Sequence, residues 1–340
     1  MKRKKLQPTG SLKAYRCRHS LLMRLRRRAA SVLMGVGPAG LLVGLALAVL
    51  VLARPCQAQD IEPRRWSHLP EAGNFAGAAY SVTTGDILFE PELRIENAQV
   101  DLQTFAGKYI RSFELLGKSA RVDVIQPYQI GHWTGLLNGV PAKVDREGWA
   151  DTTLRFAVNL FGAPPLAGQE FADYRARTER ETIVGMGLVV QLPTGQYDQD
   201  KLINLGFNRF AFRPQLGVVH DWGKWSAELT TAASIFADND QFYQGTRLQQ
   251  DPMYSADGHL IYTFRPGLWL SASVGYGGGG TTAVNSVAND NQQSNLGWGL
   301  GLGIPINRAV GLKFAYIGTR TQARTGLDAD TFTFGVAVAW

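Results

Sequence analysis

The stretch TFTFGVAVAW, residues 331–340, decides the fold. Every second residue in it is large and apolar, and the residues between them are threonine, glycine or alanine. The apolar residues are Phe332, Phe334, Val336, Val338 and Trp340. A period of two residues is that of a β-strand whose two faces meet different surroundings. The end of the chain is therefore predicted to be a strand with one apolar face.

The same alternation recurs through most of the chain. Large apolar residues alternate with bare glycine in 296–304, and with serine and glycine in 268–276. The pattern predicts an all-β protein of twelve strands. We expect them near residues 75–84, 99–113, 119–129, 151–160, 182–192, 207–219, 224–236, 254–264, 268–277, 294–304, 309–319 and 330–340. The alternation does not show which face of the strand carries Phe105, Lys108 and Tyr109.

A soluble β-sandwich also alternates, but three features favour a transmembrane antiparallel β-barrel. Small, polar and charged residues fill the face opposite the apolar one, as in a wet lumen, and connections alternate between short and long. Aromatic residues stand near strand ends, as in the girdles of membrane barrels. These are Trp225, Phe264, Trp269, Tyr316 and Trp340. An even strand number lets the first and last strands pair and close the barrel.

Closure predicts which connections face which side. The tight turns at 116–118, 220–223, 265–267 and 305–308 are expected on the periplasmic side, and the longer loops are expected outside. These loops are 130–150, 193–206, 237–253, 278–293 and 320–329. Residues 161–181 break the rule, because a long and partly helical segment stands where a short turn is expected. This segment either lies under the barrel or folds into the lumen.

The first 58 residues are predicted to be a cleaved export segment. A basic cluster precedes the apolar run 35–53, and a small-x-small site ends at Ala58, which is the layout of a secretory signal. A membrane anchor is the alternative, and translation could also begin at Met23. A lipoprotein signal is disfavoured by Arg54 and Pro55 before Cys56. The predicted organisation is thus 1–58 export segment, 59–74 periplasmic lead-in and 75–340 barrel.

Charge and cysteine content support export and argue against nucleic-acid binding. The export segment holds twelve of the 35 basic residues and none of the 28 acidic ones. From residue 59 onward, 23 basic residues face 28 acidic ones, a net charge of −5. Both cysteines, Cys17 and Cys56, also lie in the export segment. The remainder therefore has no disulfide and no thiolate metal site.

Several stretches together resemble the outer-membrane transporter family labelled for a MetA pathway of phenol degradation. They are RSFELLGKSARVDVIQPY (111–128), LGFNRFAFRPQLGV (205–218), FADNDQFYQGTRLQQDPMYSADGHLIYTFRPGLWL (236–270), GYGGGGTTAVNSVANDNQQSN (275–295) and the closing strand. The resemblance covers most of the chain after the export segment. It implies an outer-membrane channel for passive uptake of small compounds, aromatic or hydrophobic ones among them, with membrane lipid and a small-molecule solute as partners.

Six residues are expected to line the pore: Arg155, Arg209, Arg213, Gln215, Glu228 and Lys313. Charged residues in a lumen tune which solute passes. The alternative for Arg209 and Arg213 is that they pair with lumen acids such as Asp123, Asp151 or Glu228 and brace the wall, because half-buried charges are costly unless paired. The closing strand, Phe332 to Trp340, is expected to be read by the barrel insertion machinery.

An enzyme is the competing class, because phospholipase-like barrels carry a serine and a histidine on their wall. His132 and His259 could serve, but the sequence shows no serine motif of that kind. A structural barrel with a plugged lumen is the third possibility. The stretches Asp238–Asp240 and Asn289–Asn291 are expected to be ordinary turns rather than Ca²⁺ loops. No metal, cofactor or nucleic acid is predicted.

Overall fold

The computed structural model describes residues 61–88, 95–201 and 203–340. The predicted export segment, including the cleavage site at Ala58, lies outside the described residues. Within the described ranges, no helix is long and apolar enough to cross a membrane.

Twelve antiparallel strands form the barrel, as the alternation predicted. They are β1 (Asn74–Leu88), β2 (Ile95–Leu115), β3 (Lys118–Leu137), β5 (Thr153–Phe161), β6 (Arg180–Gln191), β7 (Ala211–Trp222), β8 (Trp225–Phe236), β11 (Met253–Arg265), β12 (Leu268–Gly279), β15 (Gln293–Pro305), β16 (Val310–Thr321) and β17 (Gly326–Ala339). Each pairs with the next along the chain, and β17 pairs with β1. The sheet is therefore closed.

Besides these twelve strands, the described residues form five further strands and one α-helix. Strand β4 (Val140–Trp149) folds back on the far part of β3, and helix α1 (Gly168–Arg177) follows β5. Strands β9 (Asn239–Phe242), β10 (Thr246–Gln250), β13 (Thr282–Val284) and β14 (Val287–Ala288) form a separate small sheet from two long loops.

The pairing of β1 with β17 runs the full length of both strands. Phe75 lies opposite Ala339 at one end, and Leu88 lies opposite Gly326 at the other. The backbones of Asn74 and Trp340 exchange two hydrogen bonds, of 2.9 and 3.0 Å. The start of β1 and the end of β17 thus meet at the end of the barrel that carries the tight turns, here called the tight-turn end. The opposite end is called the long-loop end.

The two faces of the wall sort as the alternation predicted. Large apolar side chains on the outer face are exposed, such as Phe332 at 64 %, Leu300 at 56 % and Val274 at 55 %. This is the surface that membrane lipid would cover. Phe105 and Tyr109 also lie on this face, while Lys108 points inward. One girdle assignment was wrong, because Trp269 is buried and lies on the inner face beside Gly303.

The segment between β5 and β6 lies at the tight-turn end. None of the residues of α1 is buried, so the helix does not fill the lumen. Tyr174 and Arg175 from the helix bond to Glu181 at 2.6 and 3.0 Å, and His68 packs edge-on against Phe171 and Tyr174. Of the two positions left open by the sequence, the structure thus favours the one below the barrel.

The loop between β6 and β7 folds over the long-loop end. Ile203 and Leu205 from this loop join a buried apolar cluster with inner-face residues of β1, β2, β3 and β17. Asp151 holds the loop, because its carboxylate accepts hydrogen bonds from the amides of Gly195 and Phe207 at 2.8 and 2.9 Å. The prediction that a strand begins near 207 was therefore wrong by four residues.

The closing strand generates a prediction on assembly. Trp340→Ala, or a short C-terminal extension, should lower the yield of folded protein in the outer membrane. Trp340 bonds to Asn74 where the sheet closes, and it follows the strand that the insertion machinery is expected to recognise. Heat-modifiable mobility on gels measures the folded fraction. Trp225→Ala is the matched control, since Trp225 is also an exposed tryptophan at the tight-turn end. Equal yields of the two variants would contradict the assembly role.

Candidate functional site in the barrel lumen

The lead-in before β1 enters the lumen instead of staying wholly outside it. From Gly73, whose amide bonds to Ser112 at 3.1 Å, the chain runs back into the barrel. Its residues 61–66 contact inner-face residues of β2, β6, β7, β8, β11, β12, β15 and β16. Residues 61–66 of the segment expected as a periplasmic lead-in therefore lie inside the barrel, and residues 67–73 connect them to β1 at the tight-turn end. We call residues 61–73 the lumen segment.

Trp66 anchors the lumen segment to one side of the wall. Its side chain is 1 % exposed and lies over Gly185, Gly187 and Gly217, where a Cβ atom on any of the three would contact or overlap the indole. The indole nitrogen donates to Thr230 Oγ1 at 2.9 Å. The guanidinium of Arg155 stacks over the ring at 4.6 Å. The bare inner faces of β6 and β7 thus make the space that one large aromatic residue fills.

Arg64 ties the lumen segment to a second part of the wall. Its backbone amide donates to Glu228 Oε2 at 2.8 Å, and its guanidinium donates to Thr263 at 2.7 Å. The same guanidinium lies 5.1 Å from the centre of the Trp269 ring. The carboxylate of Glu228, which is buried, thereby gains a hydrogen-bond donor that the wall alone would not provide.

Glu62 reaches a third part of the wall and gathers three cations. Its carboxylate lies 3.1 Å from Lys108 Nζ on β2, 3.5 Å from Lys313 Nζ on β16 and 3.2 Å from Arg65. Burial raises the pKa of Glu62, but the positive charges of Lys108, Lys313 and Arg65 lower it by more than burial raises it. The pKa of Glu62 therefore lies well below its ordinary value. Glu62 is therefore charged at neutral pH.

A cavity of about 520 Å³ adjoins this cluster. Glu62, Lys108 and Lys313 line it together with Ser271 and Ser273 of β12. Most of the rest of its lining is apolar or small, including Ile61, Pro63, Ile110 and Ile125 and glycine and alanine of β1, β15, β16 and β17; Tyr316 and Thr333 also border it. The volume lies within the range of roughly 300 to 1,000 Å³ that small-molecule sites occupy. The lumen thus holds a solute-sized space with a cationic wall.

Five of the six predicted lumen residues lie in strands with inward side chains, and three of these contact the lumen segment. Arg155 contacts Trp66, Glu228 contacts Arg64, and Lys313 contacts Glu62. Gln215 accepts a hydrogen bond from Arg155 at 3.2 Å. Arg213 faces inward opposite Val189. A role of any of the six in conduction stays a prediction.

Arg209 lies in the loop before β7 instead of in the strand. It donates a hydrogen bond to Gln250 and stacks over Phe236 at 4.8 Å. Arg155, for which no pairing was predicted, lies 3.6 Å from Asp123. Asp151 instead bonds to Gln191 and to loop amides. Asp238 and Asp240, considered as a Ca²⁺ turn, both pair with Arg247 at the long-loop end.

Sequence reasoning missed the lumen segment itself. Glu62, Trp66 and Lys108 were not among the candidates, although glycines at inner positions of β6 and β7 leave room that only another side chain could fill. The sequence also gave no serine partner for His259, yet Ser273 lies across the strand pair with its Oγ 2.8 Å from His259 Nδ1. Both side chains face the lumen, on the side opposite to the lipid.

The fold and the lumen together define an outer-membrane β-barrel. The sequence from residue 74 to residue 336 matches the family described as "Putative MetA-pathway of phenol degradation". Because this match covers well over half of the chain, the protein belongs to that family. A search of curated proteins by sequence found no match.

Three solved outer-membrane proteins are among those to which the chain is similar. The COG4313 outer membrane channel from Pseudomonas putida F1 is similar with a TM-score of 0.69 and 19 % identity, over 83 % of this chain and 100 % of that one. The transport unit of the autotransporter AIDA-I from Escherichia coli gives 0.47 and 8 %, over 87 % and 96 %. The β domain of the Bordetella autotransporter BrkA gives 0.42 and 9 %, over 79 % and 100 %. The first likeness supports the barrel fold.

The glycine cradle of Trp66 generates a prediction on conductance. Gly217→Ala should loosen the lumen segment and raise the single-channel conductance, because the added methyl group would overlap the indole of Trp66. Trp66→Ala should raise it as well. Gly107→Ala is the matched control, since a Cβ there meets no atom within 4 Å. Gly107→Ala should conduct like the parent protein. If Gly217→Ala and Trp66→Ala also conduct like the parent protein, Trp66 does not hold the lumen closed.

Proposed function

We propose that the protein is a channel for passive movement of small apolar solutes, aromatic compounds among them, across the outer membrane. The observation that carries the proposal is the solute-sized and largely apolar cavity inside a closed twelve-stranded wall. The description of the family, which names phenol degradation, supports an aromatic solute.

The long-loop end supports the same class of solute. The buried cluster that Ile203 and Leu205 form there includes Ile87, Val100 and Trp133 of the wall. A solute that enters from this end would pass apolar side chains before it reaches the cavity. An apolar solute loses less free energy of hydration on passing such side chains than a polar one.

The proposal predicts how solutes affect ion conduction. The purified protein in a planar bilayer should show discrete conductance steps, and benzyl alcohol should interrupt them far more often than glycerol. Leu205→Ser should weaken this preference, because it adds a hydroxyl to the apolar cluster. Leu116→Ser is the control, since Leu116 lies 93 % exposed at a tight turn. A silent barrel, or one that treats both alcohols alike, would overturn the proposal.

An enzyme is the second candidate because of the His259–Ser273 pair. A serine nucleophile needs a base within hydrogen-bond reach, and the 2.8 Å distance meets that condition. The pair faces the lumen, however, whereas a phospholipase of this kind meets its substrate at the lipid-facing surface. We therefore favour a role of the pair in bracing β11 against β12.

The two roles of the pair can be separated by labelling. A fluorophosphonate probe should leave the native protein unlabelled, because a bracing serine is not activated. Labelling that disappears in Ser273→Ala and persists in Ser271→Ala would favour the enzyme, since both serines line the same cavity and differ in their contact with His259.

A further inference from the structure

We propose that Lys108 and Lys313 form a binding site for the carboxylate of the solute, so that the channel selects small apolar acids such as aromatic carboxylates. The carboxylate of Glu62 occupies this site as an internal stand-in when no solute is bound. The inference rests on the proposed function and names the class of solute.

The wall between the two lysines leaves room for a ligand. Lys313 on β16 lies opposite Gly335 of β17, and Gly335 lies opposite Ala79 of β1. Lys108 on β2 lies opposite Gly77 of β1. Two long cationic side chains therefore border a stretch of wall whose inner face carries nothing larger than a methyl group. On the other side of the lumen, Trp66 and Arg155 fill the corresponding space.

The charges around the site favour an anion. Lys108, Lys313 and Arg65 all contact Glu62, so three cations meet one carboxylate. Within the described residues, Glu62 is the one carboxylate paired with either lysine. The two lysines share this one carboxylate, so positive charge exceeds negative charge at the pair. At partly buried positions such charges attract an anion more strongly than they do in water, because the effective dielectric constant is lower.

Glu62 is suited to act as a replaceable stand-in. It belongs to the lumen segment, which is not part of the barrel sheet, and the side chains of Glu62, Lys108 and Lys313 are 33 %, 27 % and 35 % exposed. A carboxylate that arrives through the cavity can take over the hydrogen bonds of Glu62 to both lysines without leaving either cation unpaired. Trp66 and Arg64 hold the lumen segment through separate contacts, so Glu62 can swing away alone.

The remaining lining suits the apolar part of such an acid. Ile61, Ile110 and Ile125 border the cavity beside the lysines. The cavity of about 520 Å³ has space for a substituted benzene ring next to the carboxylate. A neutral aromatic compound would gain the same apolar contacts but not the two charged hydrogen bonds, which are the stronger kind.

Calorimetry on the full-length protein in detergent tests the site without any need for conduction. Benzoate is the acid probe, and benzyl alcohol is its neutral counterpart. Lys108→Gln and Lys313→Gln should each weaken benzoate binding about tenfold or more, the usual effect of losing a hydrogen bond to a charged group. Glu62→Gln should strengthen it by a similar factor, because the internal competitor is gone. Lys118→Gln, a charge change at an exposed tight turn, is the control.

The test depends on opposite changes in benzoate affinity, a gain in Glu62→Gln and a loss in the two lysine variants. If benzoate and benzyl alcohol bind alike, or if Glu62→Gln binds benzoate no better than the parent protein, the inference is overturned. Bilayer recordings of the same samples separate it from the proposed function. If benzoate binding depends on the lysines but the barrel never conducts, the site is supported and the channel is refuted. If the barrel conducts but benzoate does not bind in this way, the channel is supported and the site is refuted.

Discussion

Closure of the sheet between β1 and β17 is the constraint on which the structure depends. In lipid, no water is present to pair with backbone amides and carbonyls, so a spanning sheet cannot keep a free edge. The bonds between Asn74 and Trp340 complete the ring at the tight-turn end. A closed ring separates lipid from lumen, and each strand must therefore carry one apolar face. Closure also fixes where the chain enters, because residues before Asn74 begin directly at the mouth of the barrel.

The size of the side chains on the inner face of the wall determines how much of the lumen is left for other groups. Where β6 and β7 offer glycine, the indole of Trp66 takes the space. Where β1 and β17 offer glycine and alanine, no side chain of the described residues does so, and a cavity remains. Interiors of proteins are otherwise close-packed. Room left unfilled beside two lysines therefore distinguishes this part of the wall from the part that holds the lumen segment.

The sequence predicts the wall far better than its contents. A period of two residues reports the environment of each face directly, so the strand count, the closing strand and the inward placement of Arg155 and Lys313 follow from it. The prediction that Trp269 belongs to an outer aromatic girdle was wrong, because an aromatic residue near a strand end can face either the lipid or the lumen. The position of residues 61–66 could not be predicted, because this segment has no period and its partners come from strands distant in sequence. The pair of Ser273 and His259 depends likewise on register between two strands, which alternation alone leaves open.

Electrostatics connects the lumen segment to the passage of solutes. A charged or polar side chain removed from water is costly unless it is paired, and Glu228, Lys108 and Lys313 all find partners on the lumen segment. Complete withdrawal of that segment would leave these side chains without their partners inside the barrel. A solute that supplies a carboxylate of its own lowers this cost at the two lysines, while Glu228 keeps its bond to Arg64. Local displacement of Glu62 is therefore easier than expulsion of the whole segment, and it is easiest for an anionic solute.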